Sequence, residues 1–309
     1  MTVVIVAPGQ GSQTPGFLEP WLAEPRFGEH LDALADAAGV DLRTHGTVSD
    51  ADTIRDTAVA QPLIVAASIL SLGAVLDGGR RDKVAGIAGH SVGELAAAAG
   101  AGILQEDDAM RLVATRGRAM ADAAALASTG MSAVIGADEA ELLTKLEALG
   151  LQPANFNGGG QIVVAGALDA LAALQADPPA GARVIPLQVA GAFHTRYMES
   201  AVATLRQAAD GVNVADPTVR IWTNRDGSAV ASGAAFVDLL VGQVASPVRW
   251  DKNMETFAAE GVTGVIELAP AGALVGLAKR GLKGTPTVAV KTPDDLAAAH
   301  ALIDQESAA

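Results

Sequence analysis

Gly89-His90-Ser91-Val92-Gly93 constrains this chain more than any other stretch. An apolar run, Val84-Ala85-Gly86-Ile87-Ala88, precedes it and reads as a buried strand. Glu94 and a run of alanines follow and start a helix. This is the G-x-S-x-G pattern in its required setting, a strand turning sharply into a helix. A side chain at either flanking glycine would collide with the neighbouring strand or helix, so the turn needs glycine there. The turn exposes the Ser91 hydroxyl, and the helix start behind it favours negative charge. The competing reading is a tight turn whose serine only caps the helix.

Strands and helices alternate along the rest of the chain. Residues 3–6 read as a strand, followed by a glycine-rich loop, Pro8-Gly9-Gln10-Gly11-Ser12-Gln13. That loop lacks the Lys-Ser/Thr ending of a P-loop and the full G-x-G-x-x-G spacing, so a nucleotide is not expected. Helices are expected over 26–38 and 62–76, the second with Pro62 in its first turn. Residues 41–58 are polar and loop-rich, with room for one short helix. Residues 57–76 carry no charge and are nominally long enough to cross a bilayer. Gln61-Pro62, Ser68, Ser71 and Gly73 interrupt the run, which favours a buried helix. Residues 105–126 place acids first and arginines later, the dipole pattern of one helix.

The rhythm changes after Ser128-Thr129-Gly130. Strand, helix, two strands around Asn157-Gly158-Gly159-Gly160, helix and strand (183–189) give the order βαββαβ of a ferredoxin-like unit. Alternation resumes with a helix over 195–208 and a strand over 218–223. Helices over 233–244, 250–260, 273–281 and 294–305 and strands over 264–268 and 287–291 complete the chain. The expectation is an α/β fold: an α/β-hydrolase-like large domain with a mostly parallel sheet, residues 1–127 and 198–309. A small ferredoxin-like domain, residues 128–197, is inserted into it.

Composition removes several function classes. The 309 residues carry a formal net charge of −14, which argues against nucleic acid as a partner. With no cysteine there is neither a disulfide nor a thiolate metal site, and no metal or cofactor is expected. The apolar stretch at residues 3–7 is too short for a signal peptide and has no basic lead. A cytoplasmic protein, with no membrane association, is the expectation.

A serine nucleophile needs a base. His30 and His300 fall in surface helices and His45 in a polar loop, where solvated roles suffice. His90 adjoins Ser91 but points elsewhere around a tight turn, leaving it a supporting role. His194, in Ala190-Gly191-Ala192-Phe193-His194, follows the last strand of the small unit, where the two domains meet. Position alone leaves it either the base or a buried structural histidine.

Five stretches occur in the order seen in the acyl-carrier-protein S-acyltransferases. They are Gly9-Gln10-Gly11-Ser12-Gln13, the elbow through Glu94, Thr115-Arg116-Gly117-Arg118-Ala119-Met120, Gly191-Ala192-Phe193-His194, and Gln243-Val244-Ala245-Ser246-Pro247-Val248-Arg249-Trp250. The chain resembles that family over nearly its whole length. The family includes the malonyl-CoA:acyl-carrier-protein transacylases of bacterial type II fatty acid synthesis and the acyltransferase domains of polyketide synthases. The resemblance implies malonyl-CoA and holo acyl carrier protein as partners. It implies Ser91 as nucleophile, His194 as base, the backbone N–H groups of Gln10 and Val92 as oxyanion donors, and Arg116 as partner of the malonyl carboxylate. The Gln243 carbonyl would orient His194 in place of a triad aspartate. Phe193 would occupy the space of an α-methyl group, and Asn155 and Asn157 match the family's asparagine-bearing strand without a firm role. Two departures stand out: Ala7 replaces a usual aromatic, and Glu267-Leu268-Ala269-Pro270-Ala271 replaces Glu-x-Gly-Pro-Gly. A serine esterase or thioesterase is the second reading, but it expects an acid between Ser91 and His194, and none sits in a convincing strand-end loop. A carrier-binding scaffold with a dead site is the third, and the intact Ser91, His194 and Arg116 argue against it. An acidic carrier would need a local basic patch, for which Lys279, Arg280 and Lys283 are candidates.

Overall fold

The structure, a computed structural model, describes residues 2–306. Among the described residues, nine strands form two sheets. The first is parallel: β1 (Val3–Ala7), β2 (Val84–Gly89), β7 (Ile221–Trp222), β8 (Gly264–Glu267) and β9 (Thr287–Ala289), in the order β7-β2-β1-β8-β9. The second is antiparallel: β3 (Thr129–Ile135), β4 (Gln152–Gly158), β5 (Gln161–Ala167) and β6 (Arg183–Pro186), in the order β4-β5-β3-β6.

The period of two along β1 explains its unbroken apolar sequence. Val3, Ile5 and Ala7 face the core built with helices Thr57–Val75, Gly93–Gly100 and Glu106–Ala125. Val4 and Val6 face the opposite core, with Trp250–Ala259 and Ala273–Gly281. Both faces are covered, as a parallel sheet requires. In the antiparallel sheet, Val134, Ile162 and Val164 pack beneath helices Glu139–Leu149 and Leu168–Ala176. Met131, Ala133, Val163 and Ala165 turn the other way and join the first core.

Four expectations need correction. The long apolar helix starts at Thr57, capped by the Asp56 carboxylate, and runs through Pro62 rather than starting there. Packing overrides the proline, because the backbone at Thr57 and Ala58 lies hard against Gly117 of the neighbouring helix. This helix alone, among the described residues, has the length and apolarity to cross a bilayer, but 83% of its apolar window is buried inside the protein. Strand β6 stops at Pro186, three residues early. It is an edge strand, and Val189 bonds to Leu187 of its own chain instead of the sheet. Strand β7, another edge, keeps only Ile221–Trp222 of the expected 218–223, because Thr218 bonds to Ala101 outside the sheet. His300 is half-buried and reaches the Ala74 carbonyl at 3.0 Å, so it is not a solvated residue. The polar stretch 41–58 contains a helix, Leu42–Thr47, and a 3-10 turn, Thr53–Arg55. The alanine-bearing loop after β8 is well held. Buried Glu267 accepts the N–H groups of Gly272, Leu274 and Val275, each at 2.9 Å.

Candidate active site

The turn after β2 is as tight as its glycines imply. A Cβ on Gly89 would lie 2.0 Å from the Gly93 carbonyl carbon, and one on Gly93 would lie 2.3 Å from the Ala7 carbonyl oxygen. Between them Ser91 adopts a φ of 53°, a left-handed conformation that costs a non-glycine residue about 1–3 kcal/mol and persists only where its surroundings enforce it. The Asn224 side chain does so. Its Oδ1 accepts the Ser91 N–H at 2.7 Å, and its Nδ2 donates to the Gly89 carbonyl at 2.7 Å.

His194 sits at a second left-handed position, with φ of 62°. Its Nε2 is 2.7 Å from Ser91 Oγ, and its Nδ1 is 2.8 Å from the Gln243 carbonyl oxygen. A carbonyl only accepts, so Nδ1 carries the proton and Nε2 presents its lone pair to the Ser91 hydroxyl. Burial, and after it the Arg116 charge, push the His194 imidazole down to about 3, so the ring is neutral near pH 7. A neutral ring aimed at a hydroxyl is the state a general base requires.

Arg116 comes from the middle of helix Glu106–Ala125 and is 1% exposed. It donates to Gln61 Oε1 at 2.7 Å and Gln243 Oε1 at 2.8 Å, and lies 3.4 Å from Ser91 Oγ. Its buried Nε has no partner among the described residues. Burial lowers its pKa to about 10, with Glu94 opposing, which still leaves it charged. A fixed cation beside the Ser91 hydroxyl suits an acyl group that carries its own anion.

Ser91, His194, Arg116 and Gln61 line one cavity of about 90 Å³, together with Gln10, His90, Val92, Asn155 and Phe193. Neither the Gln10 nor the Val92 backbone N–H bonds to a protein acceptor among the described residues. His90 Nε2 lies 3.0 Å from Asn157 Oδ1, and its ring packs edge-on against Trp250. It thus points away from Ser91 and supports the small sheet. Buried Asn155 Oδ1 has no partner among the described residues. A larger cleft of about 410 Å³ opens alongside, between Gln10–Pro15 and Leu187-Gln188-Val189. The other histidines lie apart: His30 pairs with Glu106 and His45 with Ser49.

The stretch 243–250 joins both sheets at this cavity. Val244 O accepts the His194 N–H, while Val248 exchanges backbone hydrogen bonds with Ala154 and Phe156 of β4. Three contributors escaped the sequence reading. Gln61 lay inside an apolar run, and Asn224 follows the two-residue strand β7. Glu94 was read only as a helix start.

The sequence matches the family described as acyl transferase domain over residues 4–299. The chain belongs to this acyl transferase family. Among its relatives, the malonyl CoA-acyl carrier protein transacylase of Mycobacterium tuberculosis (strain ATCC 25618 / H37Rv) is 52% identical over 298 residues. That alignment covers 95% of this chain and 98% of the relative. The crystal structure of that organism's enzyme superposes with a TM-score of 0.94 at 50% identity, covering 97% of this chain and 100% of the other. A malonyl-transacylase in complex with its type II polyketide synthase acyl-carrier protein gives a TM-score of 0.90 at 30% identity, covering 97% and 99%. In this acyl transferase the mixed α/β architecture, a parallel sheet beside an antiparallel one, is therefore shared with solved malonyl-transacylases.

Proposed function

We propose that this acyltransferase moves a malonyl group from malonyl-CoA to the phosphopantetheine thiol of acyl carrier protein through a malonyl ester on Ser91. The observation that carries this reading is the buried Arg116 guanidinium 3.4 Å from the hydroxyl that His194 engages. His194 Nε2 takes the Ser91 proton as Oγ attacks the thioester carbonyl. The negative oxygen rests on the Gln10 and Val92 N–H groups, a kind of donor whose loss typically costs about 100- to 1000-fold. The carbonyl re-forms, the C–S bond breaks, and the proton passes from His194 to the CoA sulfur. The carrier thiol then gives its proton to His194, attacks the ester and displaces Ser91 Oγ, which recovers the proton. A thioester is an activated acyl donor, so the Gln243 carbonyl serves where a triad would use a carboxylate. The cleft beside Gln10 is the route for the phosphopantetheine arm.

The small unit, residues 128–197, is read as ferredoxin-like, on the order βαββαβ with sheet order β4-β5-β3-β6. The rest, residues 1–127 and 198–309, is read as hydrolase-like, on the elbow at the end of β2. A cytoplasmic location is consistent with the burial of helix Thr57–Val75. Phe193 lines the acyl cavity, where it excludes an α-methyl group, worth about 10- to 200-fold. Phe193→Ser should narrow the malonyl-CoA over methylmalonyl-CoA ratio in direct competition, and an unmoved ratio would leave it a packing residue.

Intact mass after incubation with malonyl-CoA, with and without holo carrier protein, tests the function. A malonyl adduct that moves to the carrier and is absent in Ser91→Ala is expected. Free malonate without transfer would mark a hydrolase, and no adduct would mark a scaffold.

A further inference from the structure

A chain of hydrogen bonds runs behind Ser91 and ends on Arg116. The Asn224 backbone N–H donates to Glu94 Oε1 at 2.6 Å. Glu94 Oε2 accepts from Gln243 Nε2 at 2.6 Å, and Gln243 Oε1 accepts from Arg116 at 2.8 Å. Glu94 is 1% exposed and Gln243 5%, so water does not repair a mismatch. Both ends of the chain, a backbone N–H and a guanidinium, can only donate. Gln243 must therefore turn its oxygen to Arg116, which turns its NH2 to Glu94. Glu94 must then accept on both oxygens, as a carboxylate does.

We propose that Glu94 is a positioning residue for recognition of the acyl carboxylate: acting through the Gln243 amide, it fixes the orientation in which Arg116 meets the substrate. The proposal rests on the malonyl reading above. Burial raises the Glu94 pKa to about 8, while the Asn224 N–H, the Arg116 charge, the Thr223 hydroxyl and the Gln243 amide oppose that rise. Both carboxyl oxygens accept an N–H at 2.6 Å, so these hydrogen bonds favour the anion against the desolvation that favours the acid. With glutamine at 94, every amide orientation sets a donor against a donor at Asn224, at Gln243 or at Arg116.

Steady-state transfer of malonyl and acetyl groups from their CoA thioesters by Glu94→Gln tests this. The malonyl kcat/KM should fall about 10- to 100-fold, the scale of a lost hydrogen bond to a charged group. Acetyl transfer should fall less, since it needs no carboxylate partner, so the malonyl-over-acetyl ratio of kcat/KM should drop about tenfold. Equal losses for both acyl groups, or no loss, would overturn the proposal. If Glu94→Gln yields no folded protein, the reciprocal exchange Glu94→Gln with Gln243→Glu decides. It matches donor to acceptor again at Asn224, between positions 94 and 243, and at Arg116, losing only the longer contacts of the Gln243 amide with Ser91 O and Asn224 Oδ1 (3.2 and 3.3 Å), so folded protein should return, with Arg116 now facing a carboxylate and acetyl preferred. A double variant that stays unfolded or still prefers malonyl overturns the proposal. Wild type run alongside separates the two readings. Absence of a malonyl adduct there defeats the function, whereas an unmoved ratio in the variant defeats only the role of Glu94.

Discussion

At the scale of single residues, the charge states of His194 and Arg116 set two expectations. The His194 imidazole is pushed down to about 3 by burial and by Arg116, against about 6.5 when unfolded. Its base form is present throughout the neutral range, so single-turnover malonylation should show no inflection near pH 6.5. Stability follows from the same shift. Above about pH 6.5 both states hold the ring neutral; as pH falls below that, only the unfolded chain takes the proton. Stability is then lost by up to about 1.4 kcal/mol per pH unit from this group. Denaturation midpoints of wild type should fall more steeply below pH 6.5 than those of His194→Gln, and parallel slopes would refute the assignment. For Arg116→Ala, malonyl transfer should drop about 100-fold, with acetyl transfer falling less or rising. Equal loss for both acyl groups in paired CoA assays would make Arg116 structural. The Ser91–His194 contact was legible because the glycine-flanked strand-to-helix turn and the segment after the antiparallel sheet leave local marks. Asn224 left none, since its place depends on where a two-residue strand docks.

At the scale of elements, the elbow and β1 are one packed unit. Gly93→Ala would drive its methyl into the Ala7 carbonyl, 2.3 Å away, and backbone cannot step aside as a side chain does. We expect a loss of about 1–3 kcal/mol or more, with the Ser91 adduct lost too. Gly73, in helix Thr57–Val75, has open space at its Cβ, so Gly73→Ala should instead stabilise by about 0.5–1 kcal/mol. Urea denaturation of the two variants checks both signs. Element types were readable from periodicity, because β1 is buried on both faces and the amphipathic helices on one. Boundaries failed where tertiary contacts decide: Pro62 is carried inside a helix by packing against Gly117, and β6 and β7 are trimmed because they are edges. The loop after β8 kept its hold on Glu267 although alanine stands at both expected glycines, since the N–H groups that bind the carboxylate belong to Gly272, Leu274 and Val275.

At the scale of the whole molecule, the proposed transfer would bring this acidic protein to an acidic carrier. Lys279 and Arg280 end helix Ala273–Gly281, and with Lys283 they are exposed and form no ion pair among the described residues. Arg280 also runs against Gly159 in the β4–β5 turn, so the patch borders the small sheet. Reversing the three charges should slow transfer to the carrier several-fold and leave self-malonylation unchanged. Stopped-flow transfer that is insensitive to both salt and charge reversal would place docking elsewhere. The two-sheet plan was legible because the change of rhythm near Thr129 marks it; the seam between the sheets was not, since Val248 pairs with β4 across nearly a hundred residues of sequence. That seam governs what can be grafted. The segment that pairs with β4 also supplies the carbonyl behind His194, so residues 128–197 do not form an interchangeable cassette. A chimera taking them from a relative would set a foreign β4 against the native Val248 and misplace the His194 ring. Transplanting 243–250 along with the small unit keeps the matched pair together, and breeding new acyl preferences into this scaffold should start from that compound block.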